Sequence, residues 1–236
     1  MAALPQHRAS VLAWLLGPLG QRVAALALLA VAAMTIEPGP VASAAVVDAV
    51  LADVNGAVLT ASDVALARAL GLFGFGASAA PVRRPDVERL VDVRLVEREA
   101  ARLEIGGSPD AIEAAWQAAG AGIGGLPRLL RWLERVGIDP DWARQMVEAD
   151  VRWRRFIEVR FRAFVFVAES DIAAALGTAA AGTEDREATR QRLAEEATQR
   201  DLAHWLADAR ARAVIRYADA ASGPLALPFA WPVAGP

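Results

Sequence analysis

Apolar positions along this chain recur at two spacings, and the changes between them mark out its elements. Val47, Val50 and Val54 are β-formers that lead into Asn55-Gly56. That pair predicts a two-residue hairpin turn, because both central positions of a type I′ turn need positive φ. Ala57, Val58 and Leu59 return as the second strand. Thr60-Ala61-Ser62-Asp63 then has the form of a capping box, in which the Thr60 hydroxyl accepts the backbone N–H of Asp63. Val64, Leu66, Ala67 and Leu70 continue as a helix. Further on, Val87, Leu90, Val91 and Leu95 lie at i, i+3, i+4 and i+8, one buried helical face, with Asp86 placed to cap a helix running to about Leu103. Ser108-Pro109-Asp110 starts a short Ala-rich helix, Ala111–Ala119, with Pro at the first helical position. Arg128–Val136 is the next helix, ended by Gly137. Asp139-Pro140 opens a long one by the same chemistry, with Trp142, Met146, Trp153, Phe156 and Ile157 near 3.6-residue spacing.

Between these periodic stretches the pattern weakens. Gly71–Pro85, GLFGFGASAAPVRRP, reads as a loop that leaves Phe73 and Phe75 candidates for exposure. Phe161–Val167 loses the helical period and is rich in β-formers, so an extended segment is expected there. Ser170-Asp171 begins a short helix to Leu176. Gly177–Thr183 is a small-residue linker, and a last helix runs from Glu184 to about Arg212. Leu202, Trp205, Leu206, Ala209 and Ala213 form its apolar face, with Glu196–Arg200 and Asp208–Arg212 as favourable i, i+4 pairs. Val214–Tyr217 reads as a final strand, placed to pair with the hairpin and to cover a strand edge that would otherwise invite aggregation. The tail from Pro224 to Pro236 has four prolines and no charge, so it should be irregular. The expected fold class is mainly α, about six helices with a small β-hairpin joined by a C-terminal strand. No period of 20 to 50 residues repeats, which argues against a solenoid.

Composition narrows the compartment and the chemistry. Val23–Met34 is an apolar run after Arg8 and Arg22, shorter than the about 20 residues a membrane span needs. Ala42-Ser43-Ala44 fits the small-x-small cleavage rule. Residues 1–44 are therefore expected to be a secretory signal, with an uncleaved anchor as the alternative. The 236 residues hold 25 basic side chains, all Arg, against 28 acidic ones. That near-balance argues against a nucleic-acid binder. Cysteine is absent, which removes disulfide and thiolate chemistry.

Candidate chemistry is sparse. Gly120–Gly125 satisfies G-x-G-x-x-G, but a phosphate loop needs a strand before it and a helix N-terminus at the anion. Here an Ala-rich helix precedes it and Pro127 follows, so an interhelix loop is expected. Val151–Arg162 carries five arginines among three aromatic residues, read as a solvated helix face. His204 is the one histidine beyond the leader, mid-helix and without a nucleophile beside it. No metal-ligand spacing appears. The sequence reading is therefore of a protein that is not an enzyme, with no cofactor and no small-molecule substrate.

Four segments in order resemble the N-terminal chaperone module of the SurA family of periplasmic folding factors. Val47–Val64 is similar to that family's opening hairpin and capped helix, and Arg89–Ile105 to its second helix. The stretch from Leu129, with LERVGIDPDW at its centre, resembles the Gly-Ile turn and the long helix after it. Arg186–Tyr217 resembles the helix and strand that return to the N-terminal module. In the fuller family members, parvulin-type isomerase domains are inserted after the segment resembling Val167–Leu176. Only Gly177–Thr183 stands there in this chain. The resemblance implies one SurA-N-like domain over residues 45–217 (an N-terminal part 45–176, the linker 177–183 and a returning part 184–217) followed by a Pro-rich tail, 218–236.

It also implies a periplasmic, ATP-independent chaperone without prolyl isomerase activity. Its partners would be unfolded envelope or outer-membrane polypeptides, with no nucleic acid and with the membrane touched only through an uncleaved leader. Peptide-binding candidates in an apolar groove are Trp132, Trp142, Met146, Trp153 and Phe156, although periodicity alone does not separate groove from core. The alternative is a non-catalytic assembly subunit for one envelope partner, with Leu72–Ala80 and Pro224–Pro236 as its contacts. A further possibility from the sequence is that Phe229-Ala230-Trp231 folds back into the protein's own groove as a lid.

Overall fold

A computed structural model describes residues 48–177 and 183–232. The expected leader, most of the linker and the last four residues lie outside the described residues. Strands β1 (Val50–Val54) and β2 (Ala57–Thr60) form the hairpin, with Asn55 and Gly56 both at positive φ. Helices follow as α1 (Ala61–Ala69), α2 (Arg84–Arg102), α3 (Pro109–Gly122), α4 (Leu126–Val136), α5 (Pro140–Arg160), α6 (Glu169–Leu176) and α7 (Thr183–Arg212), and β3 (Ile215–Tyr217) comes last. The fold is mainly helical with a three-stranded antiparallel sheet in the order β2-β1-β3.

Local chemistry accounts for most of the boundaries. Thr60 and Asp63 cap α1 reciprocally, as the capping box requires. Ser108 accepts Ala111 N–H at the start of α3, and Asp139 accepts Asp141 N–H at the start of α5. At α2 the expected cap shifts by one turn. The N-cap is Arg83, and Asp86 serves from the third helical position by accepting Arg83 N–H at 2.7 Å. Gly137 ends α4 in the left-handed conformation.

The sheet closes the chain from both ends. Ala52, Asp53 and Val54 pair with Tyr217, Arg216 and Ile215. Asn55 contributes beyond the turn: its backbone N–H donates to Val214 O at 2.8 Å, and its side-chain oxygen accepts Val214 N–H at 2.9 Å. The Arg84 guanidinium lies 3.3 Å from the centre of the Tyr217 ring, fastening β3 to the head of α2.

Helix α2 is the central element, with Val87, Leu90, Val91, Val93, Leu95, Val96 and Ala100 buried around more than one face. Its first half joins the main core under the sheet, α4 and α5. Its second half joins a smaller cluster of Val96, Ala100, Phe156, Phe161 and Leu202, with Trp205 and Leu206 packed on it. That cluster and a two-bonded Arg210–Asp92 pair (2.6 and 2.7 Å) hold α7 against the body.

Three expectations are overturned here. Phe161–Val167 is not a strand: Phe161 turns into the second cluster and Arg162–Phe164 form a 3₁₀ turn. Phe164 and Phe166 stand 77% and 88% exposed, and the Phe-x-Phe alternation that read as β reflects no sheet. Phe73 and Phe75 are not exposed either. Phe73 is buried and Phe75 half-buried against the core, because Asp150 accepts Phe73 N–H at 2.7 Å and Arg89 donates to Phe73 O at 3.0 Å. Those two bonds hold Phe73 at a left-handed φ of 54°. On α7, Glu196 takes Arg192, one turn before the expected Arg200.

Candidate functional site

The candidate site is a cavity of about 300 Å³ between α2 and α5. Helical periodicity builds both walls. Leu90, Val93, Arg94 and Glu97 on α2 recur at i, i+3, i+4 and i+7. Trp142, Gln145, Met146 and Ala149 on α5 do the same. Leu59 of β2 and Phe73 of the 71–83 loop close one end. Apolar side chains make the floor and charged ones the rim.

The rim charges are paired among themselves. Arg94 donates to Glu97 at 2.8 Å and Arg152 to Glu148 at 2.7 Å, with a longer Arg152–Glu97 contact of 3.8 Å. Such a mouth is polar but nearly neutral, and long arginine stems extend its apolar wall while their heads stay wet. Asp63 lies at the inner edge. Burial raises its carboxyl above the usual 3.8, against the lowering effect of Thr60 and Arg94. Its oxygen accepts Thr60 N–H at 2.8 Å and the Thr60 hydroxyl at 3.2 Å, so this acid is a helix cap.

The five sequence candidates do not share one groove. Trp142 and Met146 line this cavity. Trp153 lines a second, wider one of about 520 Å³ beside the 71–76 loop, with Leu72, Asp150 and Arg154. Trp132 is 3% exposed, its indole N–H donating to Ala230 O at 3.0 Å and its ring edge-on to Phe229. Phe156 is fully buried in the second cluster. Periodicity marked all five as apolar-faced, and it carries no information on what covers each face. The rim residues Arg94, Glu97 and Arg152 were missed: Arg94–Glu97 and Glu148–Arg152 are local i, i+3 and i, i+4 pairs, but only the approach of α2 to α5, marked by the Arg152–Glu97 contact, places them at one mouth.

Other candidate chemistry resolves into structure. Gly120–Gly125 carries α3 to Gly122 and then turns through Gly124 and Gly125 at positive φ. A Cβ at Gly120 would lie 3.0 Å from the Leu126 backbone, so close helix packing explains that glycine. Of the arginines in Val151–Arg162, Arg152, Arg154 and Arg162 are in ion pairs. His204 is exposed on α7. Among the described residues no group of His, Cys, Asp and Glu is placed to hold a metal ion. Every buried side-chain polar atom described has a partner, and no described helix is long and apolar enough to cross a membrane. No family model matches the chain, and no curated protein matches it.

Proposed function

We propose that this chain is a non-catalytic binding module that holds unfolded or partly folded polypeptides, an ATP-independent chaperone of the cell envelope related to the SurA N-terminal module. The observation that supports this best is the α2–α5 cavity, with Trp142 and Met146 on an apolar floor and a self-paired charged rim. A flexible thioether beside an aromatic ring adapts to side chains of many shapes. A rim with no net charge favours neither sign of client. Binding would be driven by apolar burial at about 25 cal/mol per Å².

The test is suppression of aggregation by Ala45–Pro236 for several unrelated unfolded outer-membrane proteins and one soluble protein. Suppression at near-stoichiometric amounts without ATP is expected, weakened at least several-fold by Trp142→Ala with the fold intact. A well-folded sample that suppresses nothing would refute the reading.

A second reading, a subunit dedicated to one envelope partner, is favoured by a different observation. Phe164 and Phe166 stand exposed on the segment joining α5 to α6, and paired exposed aromatics mark interaction surfaces. Under that reading Phe164→Ser with Phe166→Ser abolishes the one complex and leaves aggregation suppression unchanged.

A further inference from the structure

After β3 the chain makes a short 3₁₀ turn, Asp219–Ser222, and the residues that follow lie against the body as a strap. Leu225 and Val82 form an antiparallel bridge bonded in both directions, Val82 N–H to Leu225 O at 2.7 Å and Leu225 N–H to Val82 O at 2.9 Å. Leu225, Leu227, Phe229 and Trp231 all pack against the main core, Ala226 and Ala230 face solvent, and Pro228 is half-buried where the chain bends. The large side chains thus turn inward at alternate positions, as along an extended chain, with a bend at Pro228-Phe229 between the two pairs. Phe229 meets Trp132 edge-on, ring centres 5.6 Å apart at 73°, and the Trp132 indole donates to a backbone carbonyl, that of Ala230.

We propose that the groove beneath this strap is a binding site for extended peptides, kept closed by the protein's own tail. Its three hydrogen bonds all go to backbone groups of the occupant, so they are indifferent to sequence. Specificity lies only in large apolar side chains at alternate positions, the chemistry of strand addition with side-chain pockets. The occupant fits the description of a displaceable ligand. Ser222–Pro232 contains no charged residue and therefore no ion pair to the body. Its four large side chains are each only half-buried. The Val82–Leu225 bridge stands alone and extends into no ladder. A strap so attached is displaced by a segment of the same pattern. The site stands on Val82 and Trp132, outside the α2–α5 cavity, so it goes beyond the proposed function and either can fail alone.

A tethered segment meets its site at roughly millimolar effective concentration. A free peptide of about 10 μM intrinsic affinity is therefore weakened by about 100-fold while the strap is closed. The probe is a fluorescent peptide with the sequence of Ser222–Pro232, measured by anisotropy against the full chain. Two full-chain variants open the strap by different means: Phe229→Asp puts a charge where an aromatic ring packs, and Leu225→Pro removes the N–H given to Val82. About 100-fold tighter peptide binding by either variant than by the parent is expected, and a peptide with Ser at the positions of Leu225, Leu227, Phe229 and Trp231 should not bind. Equal affinity for parent and variants would overturn the proposal, as would no binding to a variant whose circular dichroism matches the parent. Aggregation suppression measured alongside separates this result from the fate of the α2–α5 cavity.

Discussion

Replacing Phe156 by Ala should unlatch α7 and so reveal which aromatic residues are core and which are available for binding. The Phe156 side chain is fully buried, and its ring lies 5.8 Å from that of Phe161 and 5.2 Å from that of Trp205. Val96, Ala100 and Leu202 complete the cluster. Truncation loses the transfer energy of a buried ring and leaves a cavity in a site that three helices hold open, a cost of about 3–5 kcal/mol. The two aromatic contacts, worth about 0.5–1.5 kcal/mol each in comparable pairs, place the effect in the upper half of that range. Against a total stability of about 5–15 kcal/mol, the variant should show a much lower urea midpoint with the slope little changed. Amides of α7 near Leu202 should lose hydrogen-exchange protection before those of α2. Under conditions where the variant remains folded, capture of unfolded clients should equal that of the parent, because Phe156 has no exposed surface to offer. A cost below about 1 kcal/mol, or loss of client capture with the fold intact, would refute the assignment of Phe156 to the core.

Three further outcomes follow from the same geometry. Arg68 is largely buried, donating to Ala80 O at 2.7 Å and pairing with Asp86 at 2.5 Å. Arg68→Met should cost about 2–4 kcal/mol in urea unfolding by stranding the carboxylate, and adding Asp86→Asn should restore more than half of it. No recovery in the double variant would mean the charge is not the cause. Gly120→Ala should destabilise by about 1–3 kcal/mol through overpacking against the Leu126 backbone, read as a lower melting temperature, whereas Gly122, with open space around it, should accept Ala without loss. The pH dependence has two opposed parts. Asp63 is raised above 3.8 by burial, so its contribution is greatest below 3.8 and falls as pH rises through the raised folded value. Glu169 is lowered below 4.5 by Arg190 and Arg186, so its contribution is present above 4.5 and is lost as pH falls through the lowered value. Melting curves should therefore show the parent gaining on Asp63→Asn and losing its lead over Glu169→Gln on acidification, and the opposite signs would refute the assignments.

The local signals were legible because each is complete within a few residues. Asn55-Gly56 needs no partner to select its turn, and Thr60 and Asp63 satisfy each other's backbone within one helical turn. Asp139 and Ser108 mark helix starts for the same reason. Leu202, Trp205, Leu206, Ala209 and Ala213 declared an apolar face on the last helix, and all five pack inward. The final strand was readable too, and its pairing with β1 follows from the hairpin's need for a covered edge.

What covers an apolar face is a different kind of information. Trp132, Trp142 and Phe156 carry the same helical signature. One lies under a carbonyl and a ring from the tail, one lines a cavity, and one is sealed by Phe161 and Trp205. Phe73 is held inside by an acid far along the chain at Asp150, while Phe164 and Phe166, in a stretch that looked like a strand, are left outside. Composition and spacing state that a side chain prefers to leave water, since that preference belongs to the residue itself. Which partner removes it from water depends on segments brought together only when the chain closes, and the tertiary structure alone decided that here.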